Sequence, residues 1–493
     1  MASAVQQVTQ QFTQWMLPPP QRGQNFPWYL VPAGLVVMGC IAAVGVAVAL
    51  PSYAIVAPLI PVAVILLMLL FVRPEIAVIL SVAYVPFESD KFILNTALGA
   101  FGPSKILGGL VLAVFFFHVV VRRRPFRLLD DTQDLLIMLL AAVLLFSGLE
   151  SDFPTKTMDS TSRLLRMFLF YLAAKNLLTT PRSMRLTMWA MLISSTIATV
   201  IGITEYQRVN SIRNYDVRVG GVYQDPNDYA ALIVMAVIVG VHLLEATRPY
   251  WLKFSIVSAL GVLMTGVVLS GSRGALLALG LAMAVFIIRH PRWRLIVAVL
   301  AVSVVIAIPI LPENIRARFL GGSDVDALYT ETAEDSVQRR TGYVVFGTDV
   351  IAGNPVLGAG YGTFALMFPR SEFIKYDNPL TGKDRFRLAH NAYLEITFGT
   401  GFVGLALYLG IFFVTLRDME HLNRWYRRGT LKWSAANGFQ LGLVSLMISS
   451  FFLSIEHFNY TWIAVALSSS MMYQMRYEQS LLRETNPTTV MDL

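Results

Sequence analysis

The chain has 493 residues, a net charge of +8 and a mean hydropathy of +0.59; 55% of its residues are hydrophobic and only 14% are charged. Soluble domains carry about 25% charged residues, because a fold in water needs a charged surface. Composition therefore excludes an ordinary water-soluble enzyme. The single cysteine, Cys40, excludes an intrachain disulfide and a multi-thiolate metal site. The positive charge is typical of cytoplasmic loops beside anionic lipid, so we expect no nucleic-acid partner.

The N-terminal segment, residues 1–27, lacks the basic and apolar regions of a cleavable signal peptide. Apolar residues between Val5 and Met16 fall on one helical face. This spacing predicts a short helix in the membrane interface that ends at Pro18, and a disordered tail is the alternative.

Apolar blocks long enough to cross the hydrocarbon core as helices follow along the rest of the chain. The predicted spans are 29–50, 54–72, 75–88, 105–121, 134–149, 163–178, 185–206, 228–246, 253–270, 274–289, 295–311, 390–416, 435–454 and 460–476. The sequence thus predicts an all-α integral membrane protein with about 12–14 transmembrane helices. The predicted organisation is an N-terminal interfacial segment (1–27), a transmembrane bundle (28–311), a loop subdomain (312–389), C-terminal transmembrane helices (390–476) and a cytoplasmic tail (477–493).

The orientation of these spans follows from the basic loops. Five clusters of lysine and arginine, from 122–124 to 417–432, fall on one side of the predicted topology. The positive-inside rule places that side in the cytoplasm together with both termini. Segments 207–227, 270–274 and 312–389 then face the periplasm.

Arginines also occur on this outer side, against the topological bias. Arg208, Arg213 and Arg218 lie in one short outer loop. Such a cluster favours an anionic ligand at the membrane surface, and pairing with nearby aspartates is the alternative. Arg163 and Arg166 are predicted at the outer mouth of the sixth span, where they either guide phosphates or reach to the interface from within the membrane.

Two of the six histidines, His390 and His457, belong to the predicted outer face. His390 is predicted to open a helix, where a neutral imidazole can accept a proton from a hydroxyl. A helix cap or a packing residue is the alternative for His390. For the Glu456-His457 pair, we expect a local cap, with a place along an acceptor path as the alternative.

Three motifs lie on the same predicted side. They are RVGGVYQDPND at 218–228, SGSRG at 270–274, and RRTGY at 339–343 followed by NPVLGAGYG at 354–362. Pro226 and Asn227 predict the stop and cap at which a helix begins. The third motif predicts an amphipathic helix at about 338–353 that lies across the membrane surface.

Together with RLAHNAYLE at 387–395, these motifs resemble the bacterial O-antigen ligase/polymerase superfamily over about residues 130–475. That superfamily comprises lipopolysaccharide O-antigen ligases, Wzy-type polysaccharide polymerases and protein O-oligosaccharyltransferases. The resemblance implies a GT-C-like glycosyltransferase in the bacterial inner (cytoplasmic) membrane, with its active site facing the periplasm. The implied partners are a glycan donor on undecaprenyl pyrophosphate, a glycan or lipid A-core acceptor, and membrane lipids.

By the same resemblance, Arg218, Arg340 and His390 are the catalytic residues, with Arg339 as the alternative to Arg340. The other predicted substrate-binding residues are Arg339, Arg273, Arg163, Arg166, Asn227, Asn391 and Tyr393. Arginine binds pyrophosphate oxygens bidentately, and His390 would act as general base in an inverting displacement. We expect no cofactor and no metal, although the acidic stretch 321–335 leaves a calcium or magnesium site open.

A lipid-linked oligosaccharide flippase is the main alternative. Transporters place functional polar residues near the bilayer midplane, whereas the predicted spans here have almost no charge at their centres. A structural scaffold does not explain the long segment 312–389, which we interpret as a lid-like subdomain. Ligase and polymerase activities are favoured over protein glycosylation, because no separate peptide-binding module is evident.

Overall fold

The computed structural model describes residues 68–88, 102–122, 125–212, 218–222, 225–289, 333–373 and 388–485. These residues form helices joined by short turns and loops, and none of them lies in a β-strand. The helices in chain order are α1 (Glu75–Tyr84), α2 (Pro103–Phe116), α3 (Thr132–Glu150), α4 (Pro154–Leu177), α5 (Pro181–Ile212), α6 (Pro226–Ala246), α7 (Tyr250–Leu269), α8 (Arg273–Arg289), α9 (Ala333–Gly353), α10 (Phe364–Met367), α11 (Ala392–Trp425), α12 (Leu431–Ser449) and α13 (Asn459–Thr485).

Within the described ranges, six helices are long and apolar enough to cross a membrane. They are α2 with its π-helical continuation Phe117–Val121, α3, α5, α6, α7 and α11. Large apolar side chains cover outward faces; on α7, Trp251 and Phe254 are 70% and 74% exposed. Such exposure is unfavourable in water and is expected where lipid is the solvent. The prediction of an all-α integral membrane protein is confirmed.

Several sequence predictions lie outside the described residues. The spans 29–50 and 295–311, most of 54–72 and the interfacial helix before Pro18 are among them, so the total of 12–14 spans stays a prediction. Where spans are described, some helices are longer than hydropathy indicated. The span predicted at 163–178 lies within α4, which begins at Pro154. Hydropathy did not indicate the first turns of α4, because these turns are polar. Helix α13 continues to Thr485, into the predicted tail.

Helix α6 lies at the centre of the bundle and is buried on all sides between α5, α7, α8 and α12. Its closest neighbour is α12, whose Gly438 and Gly442 are four residues apart on the face that meets α6. A Cβ atom at Gly442 would lie 2.9 Å from Cγ of Met235. Small residues at this spacing let two membrane helices approach closely enough for dispersion contacts along their length. A second group, α3, α4, α11 and α13, packs beside this centre.

Helix α11 is broken near its start. Gly401 has φ 66° and ψ −170°, a conformation that glycine adopts without strain. The 354–363 loop occupies the break, and Pro355 O accepts a hydrogen bond of 2.8 Å from the backbone N–H of Phe402. A Cβ atom on Gly401 would lie 2.2 Å from Val356 O. The NPVLGAGYG motif therefore supplies partners for backbone groups that the break leaves unpaired.

The end of the bundle at which α3 begins and α4 ends contains a buried cluster of charges, here called the lysine–aspartate cluster. The fully buried amine of Lys175 lies 2.6 Å from Asp130, 2.5 Å from Asp134 and 3.8 Å from Asp131. The Tyr171 hydroxyl donates a 2.8 Å hydrogen bond to Asp134. The three carboxylates share the Lys175 amine as their cation, so the partner of these charges is a protein group.

Candidate active site

The other end of the bundle, at which α6 and α11 begin and α7 ends, is called the site end below. Here Arg218 joins two of the predicted motifs: its Nε donates to Ser270 O at 2.7 Å, and its Nη2 donates to the Asn227 side-chain oxygen at 2.8 Å. The backbone N–H of Val219 donates to Leu269 O at 3.1 Å. Arg218 therefore fixes the start of α6 against the turn after α7.

The start of α6 shows why Asn227 is available for this contact. Asp225 is the N-cap, and its side chain accepts hydrogen bonds from the backbone N–H groups of Asn227 and Asp228 at 2.7 and 3.4 Å. Pro226 occupies the first helical position, where its missing N–H costs nothing. The helix begins at the predicted Pro226, but the capping side chain is Asp225, because Asn227 already lies inside the first turn, where its side chain accepts from Arg218.

Arg340 on α9 and Arg273 at the start of α8 lie close enough for their charges to interact. Burial lowers the pKa of Arg340, and the positive charge of Arg273 lowers it further, against the opposing effect of Asp225. Arg273 is exposed and Arg340 is half-buried, whereas the neighbouring Arg339 is buried. Two guanidinium groups placed together at an accessible surface favour an anion between them.

His390 lies beside the same helix. Its ring is 6.4 Å from the ring of Tyr343, at an interplanar angle of 27°. Tyr343 follows Arg340 by three residues on α9, so both residues lie on one helical face. The backbone of His390 has φ 51°, which is uncommon outside glycine and is found most often where function or a tight turn requires it.

The residues after His390 hold the start of α11. Asn391 is the N-cap, and its side chain accepts from the Leu394 N–H at 3.0 Å; His390 thus precedes the helix instead of opening it. The Tyr393 hydroxyl donates to Met447 O of α12 at 2.7 Å. The described contacts of Asn391 and Tyr393 are with protein, and their role in substrate binding stays a prediction.

Glu456 and His457 form a second polar group at the site end, which sequence reasoning set aside as a local cap. The buried Glu456 carboxylate accepts a 2.8 Å hydrogen bond from Tyr361 and lies 3.8 Å from Nδ1 of His457. The His457 side chain is 45% exposed. Partial burial lowers the pKa of His457, but the adjacent Glu456 carboxylate raises it, and the resulting pKa lies above the ordinary 6.5. Only the scarcity of histidine could have indicated this pair.

The two arginines of α4 differ in their surroundings. Arg163 lies 3.7 Å from Asp159 and close enough to His457 to affect its charge. Arg166 donates a 3.2 Å hydrogen bond to Ser162, one turn earlier on the same helix. Both arginines lie inside α4, because the helix begins at Pro154, and their place at the mouth of the membrane span stays a prediction. The described contacts connect Arg163 to the polar group at the site end.

No metal position is evident at the site end among the described residues. Residues 321–332 of the acidic stretch lie outside the described ranges, and the side chains of 333–335 are not described either. The one described group of carboxylates with metal-like spacing, Asp130, Asp131 and Asp134, is at the opposite end of the bundle. The amine of Lys175 already lies between these carboxylates.

The fold and the site end together define a membrane protein with an arginine-rich, histidine-containing site at one end of its helical bundle. Residues 257–409 match a family model described as O-antigen ligase (Wzy_C). The match runs from within α7 to within α11 and includes Arg273, Arg340 and His390. It confirms the resemblance to the O-antigen ligase/polymerase superfamily and supports a glycosyltransferase-like ligase activity. No curated protein matches the chain.

Proposed function

We propose that this protein transfers an oligosaccharide from undecaprenyl pyrophosphate to a hydroxyl acceptor at the periplasmic surface of the inner membrane. The reaction is that of an O-antigen ligase or a polysaccharide polymerase. The observation that carries the proposal is that the charge of Arg340 interacts with that of Arg273, while Tyr343, three residues after Arg340 on α9, stacks on His390. The family match supports the general reaction, and its donor, acceptor and membrane face belong to the proposal.

Arg340 and Arg273 carry the positive charge needed to bind the pyrophosphate leaving group. When the glycosidic bond breaks, its electron pair moves to the pyrophosphate oxygen, and negative charge grows there. Arg340 and Arg273 repel each other, so a diphosphate between them relieves that repulsion and gains charge-assisted hydrogen bonds. Donors arranged in advance around a developing charge usually make the largest contribution to such catalysis. Arg218 supports this clamp, because its bond to Ser270 holds the turn that carries Arg273.

His390 suits the acceptor. In the proposed step, the acceptor oxygen bonds to the anomeric carbon on the face opposite the pyrophosphate, and His390 takes the hydroxyl proton. A single displacement of this kind inverts the anomeric configuration and forms no sugar–enzyme bond. General-base assistance of this kind contributes about 10²–10⁴-fold to the rate.

The distribution of basic residues supports the periplasmic face. Arg122, Arg185, Lys253 and the Arg417–Lys432 segment all lie toward the end opposite the site end, near the termini of their helices. Under the positive-inside rule that opposite end is cytoplasmic, and the site end is then periplasmic.

The test is a transfer assay with purified protein, donor lipid and candidate acceptors, in which release of undecaprenyl pyrophosphate and the new glycan are both measured. We expect wild type to turn over with EDTA present, and His390→Ala, Arg340→Ala and Arg218→Ala to be inactive although folded. Arg208→Ala is the matched control, because Arg208 is an exposed arginine near the same end that pairs with Glu205. A wild-type protein that consumes no donor would reject the proposal and favour the flippase.

A further inference from the structure

A cleft opens where α3 turns into α4, at the site end. Its volume is about 500 Å³, and it is lined by Asp152, Phe153, Pro154, Thr155, Lys156, Asp159 and Leu366. Leu366 belongs to α10, so the cleft lies between α4 and the segment that follows the 354–363 loop. Its size falls within the range of about 300–1,000 Å³ in which proteins bind small ligands.

The lining of this cleft differs in chemistry from the arginine clamp. Asp152 and Asp159 offer carboxylate acceptors, Lys156 offers a donor, and Phe153 offers an apolar ring. The Arg370 guanidinium lies 4.9 Å from the centre of the Phe153 ring. Two carboxylates disfavour a pyrophosphate, whereas a sugar combines hydroxyls that donate to carboxylates with a C–H face that packs on an aromatic ring.

The residues on either side of the cleft-lining segment 152–156 are held by hydrogen bonds. The Thr157 hydroxyl donates to the Ser151 hydroxyl at 2.9 Å, and Ser151 donates to Ala359 O at 3.3 Å. Gly360 fits directly against these side chains, because a Cβ atom there would lie 2.2 Å from Ser151 Oγ. The cleft is therefore built on the same loop that fills the break in α11, and a bound ligand meets a surface that is already in place.

The cleft is also adjacent to the candidate base. Lys156 interacts electrostatically with the buried Glu395 of α11. The Glu395 carboxylate accepts a 2.7 Å hydrogen bond from the backbone N–H of Ala389, the residue before His390. On its other side, Asp159 pairs with Arg163, which lies near His457. Residues that line the cleft are thus linked to both histidines of the site end through Glu395 and Arg163.

We propose that this cleft is the acceptor subsite, which binds the carbohydrate that carries the attacking hydroxyl while the arginine clamp holds the donor pyrophosphate. The inference rests on the transferase function proposed above. It assigns the two substrates to separate surfaces: a cationic surface for the leaving group, and an acidic and aromatic surface for the accepting sugar.

The test uses the full-length protein in the transfer assay, with lipid A-core lipopolysaccharide and the free repeat-unit oligosaccharide as acceptor probes. For Asp152→Asn and Asp159→Asn we expect the acceptor KM to rise about tenfold each, with the donor KM and kcat unchanged, because a hydrogen bond to a charged group contributes about 1.5 kcal/mol or more. Phe153→Leu keeps an apolar side chain but loses the ring face, and we expect the same pattern.

Asp349→Asn, which changes an exposed carboxylate on α9, is the matched control and should leave the acceptor KM unchanged. Wild-type acceptor KM values in both aspartate variants, with transfer intact, would overturn the subsite and leave the transferase function standing. If wild type releases no lipid pyrophosphate with any acceptor, the proposed function fails, and the subsite fails with it. A loss of kcat without a change in acceptor KM would also overturn the subsite.

Discussion

The two ends of the bundle hold charged side chains in opposite ways. In the lysine–aspartate cluster, the Lys175 side chain has no exposed surface and lies among three carboxylates. At the site end, Arg273 is exposed, and the side chains of Arg163 and His457 are 51% and 45% exposed. A charge that is enclosed by protein groups stabilises or specifies the fold, whereas charges that remain accessible can meet a ligand. The degree of burial, more than charge itself, separates the two ends of the bundle.

The largest effect should come from the base. We expect His390→Ala to lower kcat about 10²–10⁴-fold while the fold is kept. His421→Ala, which changes an exposed histidine near the opposite end of α11, should turn over like wild type. Steady-state transfer kinetics with a thermal unfolding scan would check both variants. Full activity in His390→Ala would move the base to another residue, with His457 as the next candidate.

Lys175→Met tests the other end of the comparison. It leaves the buried carboxylate of Asp134 and the less buried carboxylates of Asp130 and Asp131 without their cation, and we expect the free energy of unfolding to fall by about 3–5 kcal/mol. Adding Asp130→Asn and Asp134→Asn should restore part of that loss, because the uncompensated charge is removed. Denaturant unfolding in detergent is the measurement, with Lys253→Met as the control.

Folded Lys175→Met should retain the kcat of wild type. A loss of kcat in this variant that Lys253→Met does not show would indicate that the cluster has a functional role.

Gly401→Ala tests the connection between α9 and α11. The new Cβ atom would collide with Val356 O, and the residue would keep a positive φ, so we expect a loss of about 1–3 kcal/mol in stability. Activity should fall as well, because the 354–363 loop sets Arg340 relative to His390. Gly280→Ala, in open space on α8, is the matched control and should be neutral or slightly stabilising. Equal unfolding midpoints for the two variants would contradict the role of the break.

The smallest effect is a pH dependence of stability. Because the folded-state pKa of His457 lies above 6.5, its protonated form stabilises the fold. This contribution is complete below about pH 6.5 and is lost as pH rises through the folded pKa. Asp228 supports the charged form and Arg163 opposes it. In Glu456→Gln the decline above pH 6.5 should become smaller; an unchanged profile in unfolding measurements from pH 6 to 9 would show that Glu456 does not contribute to it.

The sequence predicted what local patterns control. Hydropathy predicted the six described helices that are long and apolar enough to cross a membrane, and Pro226 marked the start of α6, because both signals are encoded locally in the sequence. It did not predict the break at Gly401, whose backbone partners come from a loop more than forty residues away. It also missed the pairing of Glu456 with Tyr361 and the burial of Lys175, because both depend on tertiary contacts.

The candidate site, like the fold, was predictable from the sequence only in part. Motif resemblance predicted catalytic roles for Arg340 and His390, and the structure places both beside Tyr343. Resemblance did not predict the contacts of the residues that follow. Asn391 caps α11, and the Tyr393 hydroxyl donates a hydrogen bond to α12. Those contacts depend on side-chain directions, which a motif does not contain.

The 354–363 loop in the break of α11 affects which residues of this protein can change without moving the candidate site. Its contacts with α11 are made largely by backbone atoms, such as the 2.8 Å bond from Ala359 N–H to Phe398 O. Backbone bonds of this kind depend little on which side chains the neighbouring residues carry. Substitutions in the cleft should therefore leave the distance between α9 and His390 unchanged. Under the proposed role of the cleft, substitutions at Asp152, Phe153 and Asp159 can change the accepted sugar while Arg340 and His390 keep their relative positions.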